Sequence, residues 1–248
     1  MKSERKQGFT LVELLVVIGI LGILSAALFP AIGNAVLRAN MTSVSARGKD
    51  IYVGIVGANT EREPLGLGPV WPKQNLPTGN AGGGEIDISD RTFTTSSEYF
   101  TELLDMENNR TANWAPYVNG LDASKLAGAG VKVVPSTATQ ISAPYNMWTM
   151  AADIIDEMED IIPILVTRNF DDSNFIRQGT GQQPATTRVA TWWIDTPDRK
   201  APFNNKGFVM VRKGGATINL SSRYVSQDII YQGQGISPGT PGISYLIP

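Results

Sequence analysis

The 248-residue chain contains no cysteine and no histidine. The first absence excludes disulfides and thiolate chemistry, and the second removes the side chain that most often moves protons near neutral pH. Together they exclude Ser-His-Asp and Cys-His catalysis and zinc sites built on cysteine or histidine. An enzyme on this chain would have to use carboxylates, Lys, Tyr or Ser. No phosphate loop, dinucleotide fingerprint or pair of carboxylates at a recognisable catalytic spacing is present. The reading is therefore of a chain that is not an enzyme. Strong net charge is missing too. The formal total is −2, with no basic stripe, so nothing points to a nucleic-acid partner.

One charge-free stretch is long. From Leu14 to Leu37 there are 24 residues without an ionisable side chain. About 20 apolar residues suffice to span a bilayer as a helix. Lys2, Arg5 and Lys6 precede the run, and a basic flank of this kind keeps the first residues on the cytoplasmic side. Glu13 stands at the start of the run, and a carboxylate there is costly without a partner, which marks it as a functional candidate. Three readings address this segment. A cleaved secretory signal would use Ser25-Ala26-Ala27 as its small-residue site, but the apolar run continues past it. A plain membrane anchor fits by length but gives Glu13 no task. The third gives each residue a role.

Gly8-Phe9-Thr10-Leu11-Val12-Glu13 resembles the processing site of type IV pilins and of the pseudopilins of type II secretion. The resemblance rests on roughly the first 30 residues. It implies cleavage between Gly8 and Phe9 by a prepilin peptidase, methylation of the new terminus at Phe9, and a role in assembly for Glu13, which becomes the fifth mature residue. Gly22 and Pro30 stand where the family often has a glycine and a helix-kinking proline. The implied partners are the peptidase, sibling pilin or pseudopilin subunits, an inner-membrane assembly platform with its cytoplasmic ATPase, and the lipid bilayer before assembly. The implied location is the inner membrane with the C-terminal domain in the periplasm, and a filament there or at the cell surface. Many type IV pilins close a C-terminal loop with a disulfide. A chain without cysteine departs from that pattern, which favours a pseudopilin. No cofactor is implied.

The expected fold class is α+β, with a long N-terminal helix packed on an antiparallel sheet. The expected divisions are a leader at 1–8, a transmembrane half-helix at 9–33, an amphipathic half-helix at 34–58 and a globular domain at 59–248. The helix reads as residues 9 to about 57, with Ile32, Val36, Ala39, Val44, Ile51 and Ile55 marking its inner face. Pro30 is expected to kink it, because proline lacks the N–H and crowds the preceding turn.

Thr60 to Glu85 carries four prolines and six glycines and reads as an irregular connection, with Trp71 pinning it to the core. Thr95-Ser96-Ser97-Glu98 has the pattern of a capping box and predicts a helix over 96–106. A short helix is expected at Ala123 to Leu126 and another from Met147 to Met158, followed by a buried strand at Ile164 to Thr167. Val189 to Ile194 reads as a strand with Trp192 and Trp193 on opposite faces. Phe208 to Lys213 and Ala216 to Leu220 flank Gly214-Gly215 as a hairpin, with a two-residue turn placing Val211 opposite Ile218 and Val209 opposite Leu220. Residues after Gly233 read as an extended tail.

Asp153, Asp156, Glu157, Glu159 and Asp160 put five acids in eight residues. Such oxygen-rich clusters can hold calcium, but the spacing matches no EF-hand, and a solvated helix face is the simpler reading. Asp171 and Asp172 are a weaker case of the same kind. The five tryptophans read as core and interface anchors. They also leave a second functional reading: a membrane-tethered binding protein, for carbohydrate among other ligands, exported by a pilin-type signal.

Overall fold

A computed structural model of the chain describes residues 10–74, 87–104, 117–118, 121–170, 194, 196–197, 199–222, 225, 230–231 and 244–248. Helix α1 spans Leu11–Arg62 and is followed by a single 3-10 turn, Glu63–Leu65. Helix α2 spans Ser96–Leu103. Among the described residues five strands, β1 (Trp148–Ala152), β2 (Pro163–Thr167), β3 (Gly207–Arg212), β4 (Thr217–Ser221) and β5 (Ser244–Leu246), form one sheet in the order β4-β3-β2-β1-β5. Every pairing is antiparallel. The architecture is α+β: a long, apolar N-terminal helix and a C-terminal antiparallel sheet. The chain divides into two compact units at Ala39/Asn40.

In the first unit every described residue from Thr10 to Phe29 is exposed. This stretch of α1 is long and apolar enough to cross a membrane.

The second unit begins within α1. Met41, Val44, Gly48, Ile51, Ile55 and Ala58 are buried at helical spacing and form the inner stripe. Ile32, Val36 and Ala39, assigned to that stripe from the sequence, are exposed instead. Gly48 marks a close approach of α1 to the sheet. A Cβ there would stand 2.8 Å from both the Trp148 ring and the Val211 side chain. The absence of a side chain lets the helix lie directly on β1 and β3.

β1, β2 and β3 are buried along their whole length, so they show no alternation of apolar and polar residues. That explains one correction. Met147 to Met158 is not a helix. Trp148–Ala152 is a strand, and the rest is an irregular connection to β2 in which Asp153 adopts a left-handed backbone (φ 59°). Trp148, Ala152, Ile155 and Met158 recur by chance at helical spacing. The strand at Ile164 to Thr167 is present, beginning at Pro163.

The hairpin also exists, but its register is shifted. Val211 faces Thr217, Met210 faces Ile218, Val209 faces Asn219 and Phe208 faces Leu220. The loop has three residues, Lys213 to Gly215. Gly215 donates to the Arg212 carbonyl (2.8 Å), Arg212 donates to the Ala216 carbonyl (2.9 Å), and Gly215 is left-handed (φ 77°). This is a turn followed by a left-handed glycine.

The C-terminal segment is not simply an extended tail, since Ser244–Leu246 pairs with β1 as an edge strand. The Ile247 carbonyl then accepts from Ser96 N–H (2.9 Å) at the start of α2.

α2 starts where its cap predicts. The Thr95 hydroxyl accepts from Glu98 N–H (3.1 Å), and the Glu98 carboxylate reaches back to Thr94 N–H (3.0 Å) and hydroxyl (2.9 Å). The helix ends at Leu103, short of the expected 106. Ala123–Leu126 forms a 3-10 turn capped by Asp122. Trp71 is buried, as the reading of a pinned connection requires. The strand expected at Val189 to Ile194 lies outside the described residues except for Ile194, and so do Trp192 and Trp193. Asp171 and Asp172 also lie outside them.

One ion pair fastens the end of α1 to the connection after it. Arg62 is buried, donates Nε to the Gly68 carbonyl (2.8 Å) and pairs through Nη2 with Asp87 Oδ1. Burial opposes charge on Asp87, but hydrogen bonds from Ser89 and Arg62 and the Arg62 charge outweigh it. The carboxyl pKa is held below the usual range. A depressed carboxylate contributes stability that is present above its unfolded pKa and lost as pH falls through the lower folded value. Thermal melts of the full chain in detergent should therefore lose stability as pH is lowered from about 5 to about 3. Asp87→Asn should flatten that part of the profile. An identical acid slope in the variant would remove Asp87 from the account.

Candidate functional site

The candidate site is the start of α1. Thr10 precedes the first helical residue and Glu13 is the third residue inside, the spacing at which a hydroxyl cap and a returning carboxylate satisfy each other's backbone groups. Glu13 Oε2 accepts from Thr10 N–H (2.8 Å) and from the Thr10 hydroxyl (2.7 Å). Glu13 N–H donates to Thr10 Oγ1 (3.3 Å). The helix N-terminus adds its partial positive charge, which favours a carboxylate in the first turn.

Among the described residues, the side-chain hydrogen bonds of Glu13 all fall on one oxygen. Oε1 has no partner among the described residues. Thr10 holds the carboxylate in orientation through Oε2, and no other described residue engages it. It is also the only acidic side chain of α1 before Asp50. A cation brought to Oε1 could therefore pair with it without first displacing Thr10.

Among the remaining sequence-predicted residues, Gly22 and Pro30 fall inside α1, which continues through both. Pro30 offers no N–H to the carbonyl of Ala26, one turn earlier. A Cβ at Gly22 would meet nothing within 4 Å. Gly8 and Phe9 lie outside the described residues.

The acidic cluster is distributed along the β1–β2 connection rather than on a helix face. Asp153 Oδ1 accepts from Gln74 N–H (3.0 Å), and Asp160 lies 3.9 Å from Lys213 Nζ. Among the described residues no three acidic side chains converge into a group that could hold a metal ion.

Sequence reasoning missed a buried polar network beneath α2. Asn146 Nδ2 donates to Ser96 Oγ (2.9 Å), and Ser96 Oγ donates to the Trp148 carbonyl (2.7 Å). Arg168, also buried, donates to the carbonyls of Asn146 (2.9 Å) and Ala201 (3.1 Å). Each partner is distant in sequence, so no local spacing signals the network. Its groups satisfy one another, as a structural network requires.

Residues 4–29 match the family model of the prokaryotic N-terminal methylation motif. This is the signal of type IV pilins and pseudopilins. The match covers the segment in which the Thr10–Glu13 cap and the exposed apolar helix occur. No solved structure matches the chain. The methylation motif supports a type IV pilin-like protein, with processing by a prepilin peptidase and assembly with pilin-type subunits. Together with the apolar helix it fits membrane anchoring, and the family is structural rather than enzymatic.

Proposed function

We propose that this protein is a structural subunit of a type IV pilus-like filament, and within that class a type II secretion pseudopilin. The observation that carries the proposal is Glu13. Its carboxylate opens an exposed apolar helix, is oriented through Oε2 by Thr10, and has no partner at Oε1 among the described residues. Cleavage after Gly8 would create a cationic amine at Phe9. When subunits pack, the amine of an incoming chain would meet Glu13 of one already in place, and pairing would remove the penalty of two isolated charges in a low-dielectric core. Burial of the uncharged helix among its neighbours would supply the remaining attraction.

On this reading the protein waits in the inner membrane with its sheet domain in the periplasm. An assembly platform, driven by a cytoplasmic ATPase, then extracts it to join sibling subunits. The absence of cysteine supports a pseudopilin over a surface pilin with a disulfide-closed loop.

Intact-mass analysis and N-terminal peptide sequencing of the protein from its native membrane test the first step. The expected terminus is Phe9, heavier by one methyl group. An intact Met1 would favour a tethered, unprocessed protein. A terminus near Leu28 would mean secretory cleavage and would overturn the proposal.

A further inference from the structure

The sheet domain carries a groove and a knob that suit each other on different surfaces of the same chain. The groove, an open depression of about 720 Å³, runs between α1, the connection after it and the β1–β2 connection. Val56, Leu67 and Trp71 supply its apolar lining. Glu63, Asp156 and Asp160 supply its acidic edge, with Lys213 as the one cation among the described residues. Lys213 is already engaged: its Nζ donates to the Asp156 carbonyl (2.8 Å) and sits 3.9 Å from Asp160. Glu63 and Asp156 have no ion-pair partner among the described residues, so the groove has carboxylate charge in excess.

The knob is Lys132-Val133. Val133 is 65% exposed, yet its neighbours Val131 and Val134 are buried at 7% and 8%. The backbone is thrown outward by three consecutive positive-φ residues, Gly128, Ala129 and Gly130, and Val131 N–H closes back on the Gly128 carbonyl (3.0 Å). An apolar side chain and an adjacent ammonium are thus held out from a pinned segment. Lys132 has no ion-pair partner among the described residues.

We infer that Lys132-Val133 of one copy docks into the Glu63/Asp156 groove of the next, Val133 against the apolar lining and Lys132 against the acids. No knob residue lines the groove, so the contact is heterologous. Head-to-tail contacts of this kind build rings or open helical filaments rather than closed two-fold pairs. The inference rests on the filament reading and adds to it a specific contact between sheet domains.

The chain has no cysteine, so single thiols can be placed without background. Lys132→Cys and Asp156→Cys variants, co-expressed and treated as filaments with a short bismaleimide, should give a crosslinked dimer that neither variant gives alone. Lys132→Glu should lower filament yield about threefold, the scale of one exposed ion pair, and Asp156→Lys in the same chain should restore it. Both sites are exposed, so melting temperatures should not change. Filaments that form with no mixed crosslink would overturn the docking contact and leave the filament reading standing. A parent chain that forms no filament would overturn both.

Discussion

Replacing Glu13 with alanine should leave membrane insertion and peptidase processing intact while reducing filament yield roughly tenfold or more, the consequence of leaving an incoming amine unpaired in an apolar core. Alanine removes two things at once, the charge and the return half of the Thr10 cap. Glu13→Gln separates them. Glutamine keeps a carbonyl oxygen that can accept from Thr10 N–H and hydroxyl, so the first turn of α1 stays closed, but it offers no negative charge. If pairing with the amine drives assembly, the Gln variant should fail as the Ala variant does, with a Phe9 terminus seen by mass analysis in both. Normal filaments from Glu13→Gln would show that helix capping was the need. Normal filaments from Glu13→Ala would remove Glu13 from assembly altogether.

The second large effect concerns the sheet domain. Gly207 opens β3 where α1 and β4 both press on it. A Cβ there would collide with Met41 Cε and lie 2.5 Å from the Leu220 carbonyl oxygen. The methionine end can swing aside, but the carbonyl belongs to the β3–β4 ladder, in which Phe208 faces Leu220, and cannot retreat without breaking a pairing. Gly207→Ala should therefore cost about 1–3 kcal/mol, the usual scale of overpacking a filled interior. A thermal melt of the full chain in detergent reads it. An unchanged melting temperature in the Gly207→Ala variant would mean the strand end yields more easily than the geometry requires. Gly48 is a softer case, because alanine there clashes with the Trp148 and Val211 side chains but gains about 1 kcal/mol of helix propensity.

How much of this was legible in the sequence depended on whether the signal was local. The start of α1 was legible because a basic flank, a lone carboxylate and 24 uncharged residues are chemically extreme. The α2 cap was legible for a similar reason: Thr95 and Glu98 are three residues apart, the Thr95 hydroxyl accepting from Glu98 N–H while the Glu98 carboxylate turns back to Thr94. The hairpin was visible from Gly214-Gly215, but its register was not. The pairing turned on which glycine adopts the left-handed backbone, and a loop of three residues instead of two moves every partner by one. β1 was misread because a strand buried on both faces has no period of two, so the spacing of Trp148, Ala152, Ile155 and Met158 had nothing to contradict it. β5 was missed because Ser244–Leu246 is three residues long and gains its conformation from β1. The Thr10–Glu13 bonds went unread although the two residues stand at capping spacing, and the lack of a partner for Oε1 among the described residues required coordinates.

The pairing of β1 with β5 has a consequence in time. Ser244 leaves the ribosome about 90 residues after Ala152, a delay of about 5–20 s at synthesis rates of roughly 5–20 residues per second. Through that interval β1 has no outer neighbour, and the row of N–H and C=O groups that β5 will cover is open to any passing strand. β5 therefore acts as a latch, and until it closes the open edge of β1 leaves the nascent domain vulnerable to capture by another chain or to recognition by a chaperone.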